Sequence, residues 1–240
     1  MIKRLLLCCF FSFVAIGNVT ATEFYTEDFP PYNYLENDEL RGIGPKIIKG
    51  LAQEAGEDPK ITVLPWARAY KYAQEKPDVG IFSIVKTPKR EDVFQWVGPI
   101  YTVRIGLYTI TENKHLYQGT NDENLEKARK VGDIAVQLGG AGEELLTTLK
   151  FQNLNKIVNI NKALFLLLKG RYDLLETSDT YMAYMAKEEG VSVEVVSEAA
   201  FIGQYDMYLA FSKSTPVATV QKWQDALDRI HKRQAAKNPS

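Results

Sequence analysis

Residues 78–101 read DVGIFSIVKTPKREDVFQWVGPIY. The apolar, partly β-branched run Val79–Val85 predicts a buried strand, and Lys86-Thr87-Pro88-Lys89-Arg90 follows where a strand hands over to a turn or a helix start. A polar tip therefore sits on a rigid element. At that tip lie Ser83, Thr87 and Arg90, two hydroxyls and a guanidinium whose planar fork of N–H donors suits a carboxylate better than a lysine ammonium does. Together they read as an anion clamp. The competing reading is an arginine on an ordinary solvated turn, since exposed charge is the default in loops.

On the N-terminal side, Phe24-Tyr25 begins a short strand that Pro30-Pro31 breaks, and Phe29, Tyr32 and Tyr34 crowd the loop after it. These aromatics can wall a ligand or simply pack a core. Ile43 to Ala55 places Ile47, Ile48 and Leu51 on one face, an amphipathic helix ended by Gly56. Ile61–Leu64 is the next strand, and Pro65-Trp66 opens a helix. Strand, helix and the strand at Val79 make right-handed βαβ units and a parallel sheet. Trp66, at the C-terminal end of a strand, falls where ligands gather in open α/β sheets; a core position is equally open to it. Arg68 reads as a helix-surface charge or a second anion contact.

Beyond Tyr101, Val103–Thr111 predicts a long strand that carries the chain into a second α/β unit near residues 101–104. Glu123–Lys130 is a short charged helix, Ile134–Leu138 a strand, Gly139-Gly140-Ala141-Gly142 a loop, and Glu143–Lys150 a helix whose free N–H groups can hold an anion. The Gly-x-Gly-x-x-Gly spacing is missing, and Glu143 and Glu144 would repel a pyrophosphate, so this is no dinucleotide site. Ile157-Val158, a helix over Lys162–Leu168, and strands at Val193–Val196 and Tyr205–Ser212 follow. Pro216–His231 closes the chain as a helix with Val217, Val220, Trp223, Leu227 and Ile230 on one face.

The chain has 240 residues, 29 basic against 30 acidic, and is 45% apolar. This balance gives no electrostatic reason to expect nucleic acid or an anionic membrane as partner. Lys3 and Arg4, the apolar run Leu5–Ile16 and the small residues around Val19-Thr20-Ala21 read as a secretory signal peptide over residues 1–21, cleaved after Ala21; a retained anchor is the rival reading. Cys8 and Cys9 both lie inside it. The mature chain then holds no cysteine, which fits a bacterial periplasm and removes thiol catalysis and cysteine-ligated metal. His115 and His231 have no metal-ligand neighbour in sequence, and neither a Gly-x-Ser-x-Gly nor a His-Glu-x-x-His motif occurs.

The pattern Asp78, Ser83, Thr87, Arg90, followed by Pro99-Ile100-Tyr101, resembles the bacterial periplasmic solute-binding proteins of family three, the polar-amino-acid type. The resemblance spans nearly the whole mature chain. It implies a two-lobed α/β fold, each lobe a mostly parallel sheet flanked by helices, the lobes joined by two crossover hinge strands. Residues 22–102 and 206–240 would form lobe 1 and residues 103–205 lobe 2. It further implies that Arg90 holds a ligand carboxylate with help from Ser83, while Val85 stands where a second serine is usual. Phe29 would stack on the ligand. Gly140 and Ala141 would offer backbone donors from the strand-to-helix loop. In the second lobe, Gly170-Arg171-Tyr172-Asp173 is similar to a family signature that an aspartate follows to receive the ligand's amino group. The count lands on Ser178, with Asp179 one residue later and Glu176 two earlier. Asp179 can serve as that partner or as a helix N-terminal charge. The expected ligand set is thus Arg90, Ser83, Phe29, Trp66, Thr87, Gly140, Ala141, Ser178 and Asp179. Function by resemblance is capture of an amino acid or similar small carboxylate by a monomer, without cofactor or metal, for delivery to the permease of an ABC-type importer. The alternatives are a ligand-sensing partner of a membrane receptor and, in a different class, a dehydratase or hydrolase using Glu176 or Asp179 as acid or base.

Overall fold

A computed structural model describes residues 22–237. The signal segment expected over residues 1–21, with both cysteines, lies outside the described residues.

β1 (Glu23–Thr26) is followed by a hairpin, β2 (Tyr34–Glu36) and β3 (Glu39–Arg41), turned by Asn37 and Asp38, both at positive φ as a two-residue hairpin loop requires. α1 (Ile43–Ala55) buries Ile48, Leu51 and Ala52 and stops at Gly56, whose left-handed backbone (φ 67°) returns its N–H to the carbonyls of Ala52 and Gln53. β4 (Lys60–Val63), α2 (Trp66–Glu75) and β5 (Val79–Val85) complete the expected βαβ unit. All seven residues of β5 are buried, as befits a strand covered on both faces.

The next strand is longer than its sequence suggests. β6 runs unbroken from Phe94 to Ile110, so the expected strand at Val103 is its second half. A 3₁₀ turn (Thr111–Leu116) leads to α3 (Asn121–Ala128), opened by a capping box between Thr120 and Glu123. β7 (Ile134–Gln137), α4 (Ala141–Thr148), β8 (Leu154–Ile157), α5 (Ala163–Leu168), β9 (Leu174–Ser178) and α6 (Asp179–Glu188) follow. The strand expected at Val193–Val196 is instead a 3₁₀ turn, Val193–Val195, whose Ser192 hydroxyl caps it. β10 starts at Val196 and reaches Ser212, and α7 (Val217–Lys237) closes the chain.

Hydrogen bonding orders the strands β4-β1-β5-β10-β6-β9-β7-β8. Pairs β4·β1·β5 and β8·β7·β9 are parallel, whereas β10 and β6 pair antiparallel with each other and with β5 and β9. Two mostly parallel lobes are thus joined through two shared 17-residue strands. The expected lobe boundaries at residues 102/103 and 205/206 fall inside those strands. In the first lobe, α1 and α7 pack on one face of the sheet, where Phe24 meets Trp223 edge-on at 4.8 Å and both are fully buried. The second has its own core of Leu107, Ile134, Val136, Leu146 and Leu174.

Candidate functional site

Parallel strands end their ladders on one edge of the sheet, and connections leaving that edge are free to contact a ligand. Here the edges of the two lobes face each other. Glu27 just past β1, Ser83 and Val85 in β5, Gln137 ending β7, and Glu176 to Ser178 in β9 line one cavity, floored by Val103 and Ile105 of β6 and Met207 of β10. The cavity is small, about 70 Å³.

Ser83 reaches it through a bulge. Its φ is +62°, and the ladder skips it, since Ile84 pairs with Tyr208 and Phe82 with Leu209. One extra residue therefore sits opposite none, which re-aims its side chain. The hydroxyl donates to Asn33 Oδ1 at 2.6 Å.

Arg90 is fully buried, which excludes the solvated-turn reading. Its guanidinium lies 5.1 Å from the Trp66 ring centroid and 5.3 Å from that of Tyr70. The anion it meets belongs to the other lobe: Nε and Nη2 each lie 3.2 Å from Glu144 Oε1, and Nε lies 3.1 Å from Oε2. Thr87 Oγ1 donates to Glu144 Oε2 at 2.6 Å. Thr87 does not line the cavity; its hydroxyl serves the internal carboxylate. Gly139 turns its carbonyl toward the first lobe, accepting from Trp66 Nε1 at 2.6 Å and Arg90 Nη2 at 3.0 Å. The loop's first two donors are taken within its own lobe, Gly139 N–H by Glu143 Oε2 at 2.7 Å and Gly140 N–H by the Gln137 carbonyl at 3.0 Å. Gly140 and Ala141 nonetheless line the cavity, with Phe29 and Trp66.

Asp179 does not stand where an ammonium partner would. It is exposed, lies outside the cavity lining, and its Oδ1 accepts from the Thr180 N–H at 2.6 Å and the Thr180 hydroxyl at 3.1 Å. The first turn of α6 claims it, which is the helix-terminal alternative. Ser178 lines the cavity but is occupied as the N-cap of α6, accepting from Tyr181 N–H at 3.1 Å, and it accepts from the Tyr32 hydroxyl of the other lobe at 3.1 Å. The carboxylate that does face the cavity is Glu176, on the same strand face as Ser178 by the two-residue period. Among the described residues no group donates a hydrogen bond to it. Its carboxyl lies on the Cα of Gly142, where an added Cβ would sit 2.0 Å from the carboxyl carbon.

Burial alone pushes the Glu176 carboxyl up to about 7. Burial likewise pushes Glu27 up to about 7, against the opposing pull of a hydrogen bond from Gln137 and the charge of Arg90. Glu27 and Gln137 were not singled out from sequence. The available signal was position, since each lies at the C-terminal end of a parallel strand. From sequence Glu144 reads only as a repulsive charge, and its role across the cleft depends on how the lobes meet.

The described residues contain no helix long and apolar enough to cross a membrane and no group of three or more His, Cys, Asp or Glu placed to hold a metal ion.

Residues 24–238 match the family model described as bacterial extracellular solute-binding proteins, family 3. The chain belongs to that family. A search of curated protein sequences gives no match. Among solved structures, this family 3 protein resembles a histidine kinase sensor domain with similarity to periplasmic binding proteins, at TM-score 0.77 and 15% identity over 90% of this chain and 92% of that one. It also resembles the arginine-, lysine-, histidine-binding protein ArtJ from Geobacillus stearothermophilus (TM-score 0.73, 18% identity, 89% and 90% covered). An ancestral amino acid-binding protein, a precursor of cyclohexadienyl dehydratase, aligns at TM-score 0.72 and 19% identity over 88% and 89%. At these identities the likeness establishes the two-lobed solute-binding fold.

Proposed function

We propose that this family 3 protein is a periplasmic receptor, exported by residues 1–21, that closes two lobes over a small solute bearing an amino group and delivers it as a monomer to an ABC-type importer. In this reading residues 22–102 and 206–240 move against residues 103–205. The supporting observation is the cavity where the strand ends of both lobes converge, holding a buried carboxylate, Glu176, to which no group among the described residues donates a hydrogen bond. A buried charge without a partner is costly, and a ligand ammonium supplies the missing one. Closure strengthens that bond by excluding water. Of the residues named from sequence, Arg90, Ser83, Phe29, Trp66, Gly140, Ala141 and Ser178 line the cavity, and in this reading Glu176 rather than Asp179 receives the amino group.

Binding, rather than catalysis, accounts for the site. Neither His115 nor His231 lines the cavity. A second reading, in which the closed form is handed to a membrane receptor for signalling, draws support from the likeness to a histidine kinase sensor domain. A thermal-shift screen of amino acids and amines on mature protein tests the proposal. A ligand at a hundred times its Kd stabilises by about 2.7 kcal/mol, a rise of roughly 5–11 °C in Tm. A screen without any shift, with lobes that do not close in solution scattering, would remove the receptor reading.

A further inference from the structure

Resting on the receptor reading, the geometry points to a narrower solute class: a small organic cation that carries no carboxylate, an amine, diamine or guanidine, because the protein's own Glu144 already fills the carboxylate seat. Most of the side-chain donors that β5 and the turn after it offer an anion are taken. Thr87 Oγ1 and Arg90 Nε and Nη2 hold Glu144, Arg90 Nη1 turns back to the Val85 carbonyl at 3.4 Å, and the Ser83 hydroxyl is given to Asn33. The Glu144 side chain is only 9% exposed. A ligand carboxylate would have to break this ion pair and leave Glu144 buried without its counter-charge.

The rest of the cavity calls for positive charge. Glu176 is 8% exposed, faces the cavity and has no hydrogen-bond donor among the described residues; Gly142, lacking a Cβ, makes the notch it lies in. Glu27 lines the same space from the other lobe. The guanidinium at the cavity is hydrogen-bonded to Glu144, so Glu176, and Glu27 with only the neutral Gln137 amide as donor, remain without a basic side chain bonded to them. Phe29 and Trp66 add aromatic walls that favour a cation.

The test uses pairs that differ by one carboxylate: putrescine with ornithine, cadaverine with lysine, agmatine with arginine. Each is titrated calorimetrically into mature protein stripped of carried-over ligand by unfolding and refolding. The expected result is that in at least one pair the decarboxylated member binds about tenfold or more tightly than its amino acid, a gap of about 1.4 kcal/mol. Glu176→Gln should weaken that amine by about tenfold or more, and Glu144→Ala, by vacating the seat, should raise the affinity of the amino acid. An amino acid binding as tightly as its decarboxylated partner, or a neutral solute binding alone, overturns the inference while the receptor reading stands. If no solute of any class binds the folded protein, both fall.

Discussion

Replacing Glu176 by glutamine should change how stability depends on pH. Burial moves this carboxyl from 4.5 to about 7, and at about 1.4 kcal/mol per pKa unit its ionised form costs the ligand-free fold about 3 kcal/mol. Below about pH 4.5 the carboxyl is protonated in folded and unfolded chains alike, and nothing is lost. Between there and pH 7 the folded chain keeps a proton that the unfolded chain has released, so this group's contribution to stability falls as pH rises. Above about pH 7 the folded carboxyl is charged and the loss is complete. Glutamine has the same shape and no charge. Glu176→Gln should therefore match the parent near pH 4.5 and exceed it by up to about 3 kcal/mol at alkaline pH, roughly 6–12 °C in Tm. Urea midpoints of ligand-free protein, taken at closely spaced pH values, measure this directly. A difference between variant and parent that stays constant across the range would refute the reasoning, because only a proton linkage bends it. Glu27, pushed to about 7 as well, should leave the single variant still sloping and the Glu27→Gln/Glu176→Gln double variant flatter.

Other substitutions probe the rest of the frame. Glu144→Gln takes the charge from the carboxylate that bridges the lobes and should shift the ligand-free protein toward open forms, seen as a larger radius of gyration in small-angle scattering; an unchanged radius would show that the pair does not hold the lobes together. Gly142→Ala drives a methyl into the Glu176 carboxyl and should cost about 1–3 kcal/mol as well as solute binding, read by urea denaturation and calorimetry. Trp223→Ala empties a fully buried site against Phe24 and Phe211 and should cost about 3–5 kcal/mol, with affinity unchanged in whatever protein remains folded.

Much of the scaffold was legible because its signals are local. The 3.6-residue spacing of Ile48 and Leu51 and the glycine after Ala55 give α1 at its observed bounds. The apolar run after Asp78 gives β5. Where periodicity gave way, strand ends moved: β6 begins at Phe94, well before the expected Val103, because the aromatic residues Phe94 and Trp96 pair with β10 across the sheet, a contact between distant segments. The site was half legible. The chemistry and position of Arg90 and Ser83 point to two residues that line the cavity, though their partners there are Glu144 and Asn33. The motif count lands on Ser178, and the one residue of slip to Asp179 puts that carboxylate on the outer turn of α6, while Glu176 keeps the inward face. Nothing in the order of residues could reveal that Glu144 meets Arg90, for that depends on two lobes being brought face to face.

The two shared strands limit how the molecule can move. β6 and β10 are bonded side by side from Val196·Ile110 to Ser212·Phe94, so sliding one lobe past the other would break a whole ladder at once. Twisting costs far less, and the ladder already steps out of register near Glu198, Phe201 and Met207. Opening is then confined to something close to a single rotational coordinate, and one pair of labels on opposite sides of the ribbon, on α2 and α5 for instance, should follow the entire excursion as one distance.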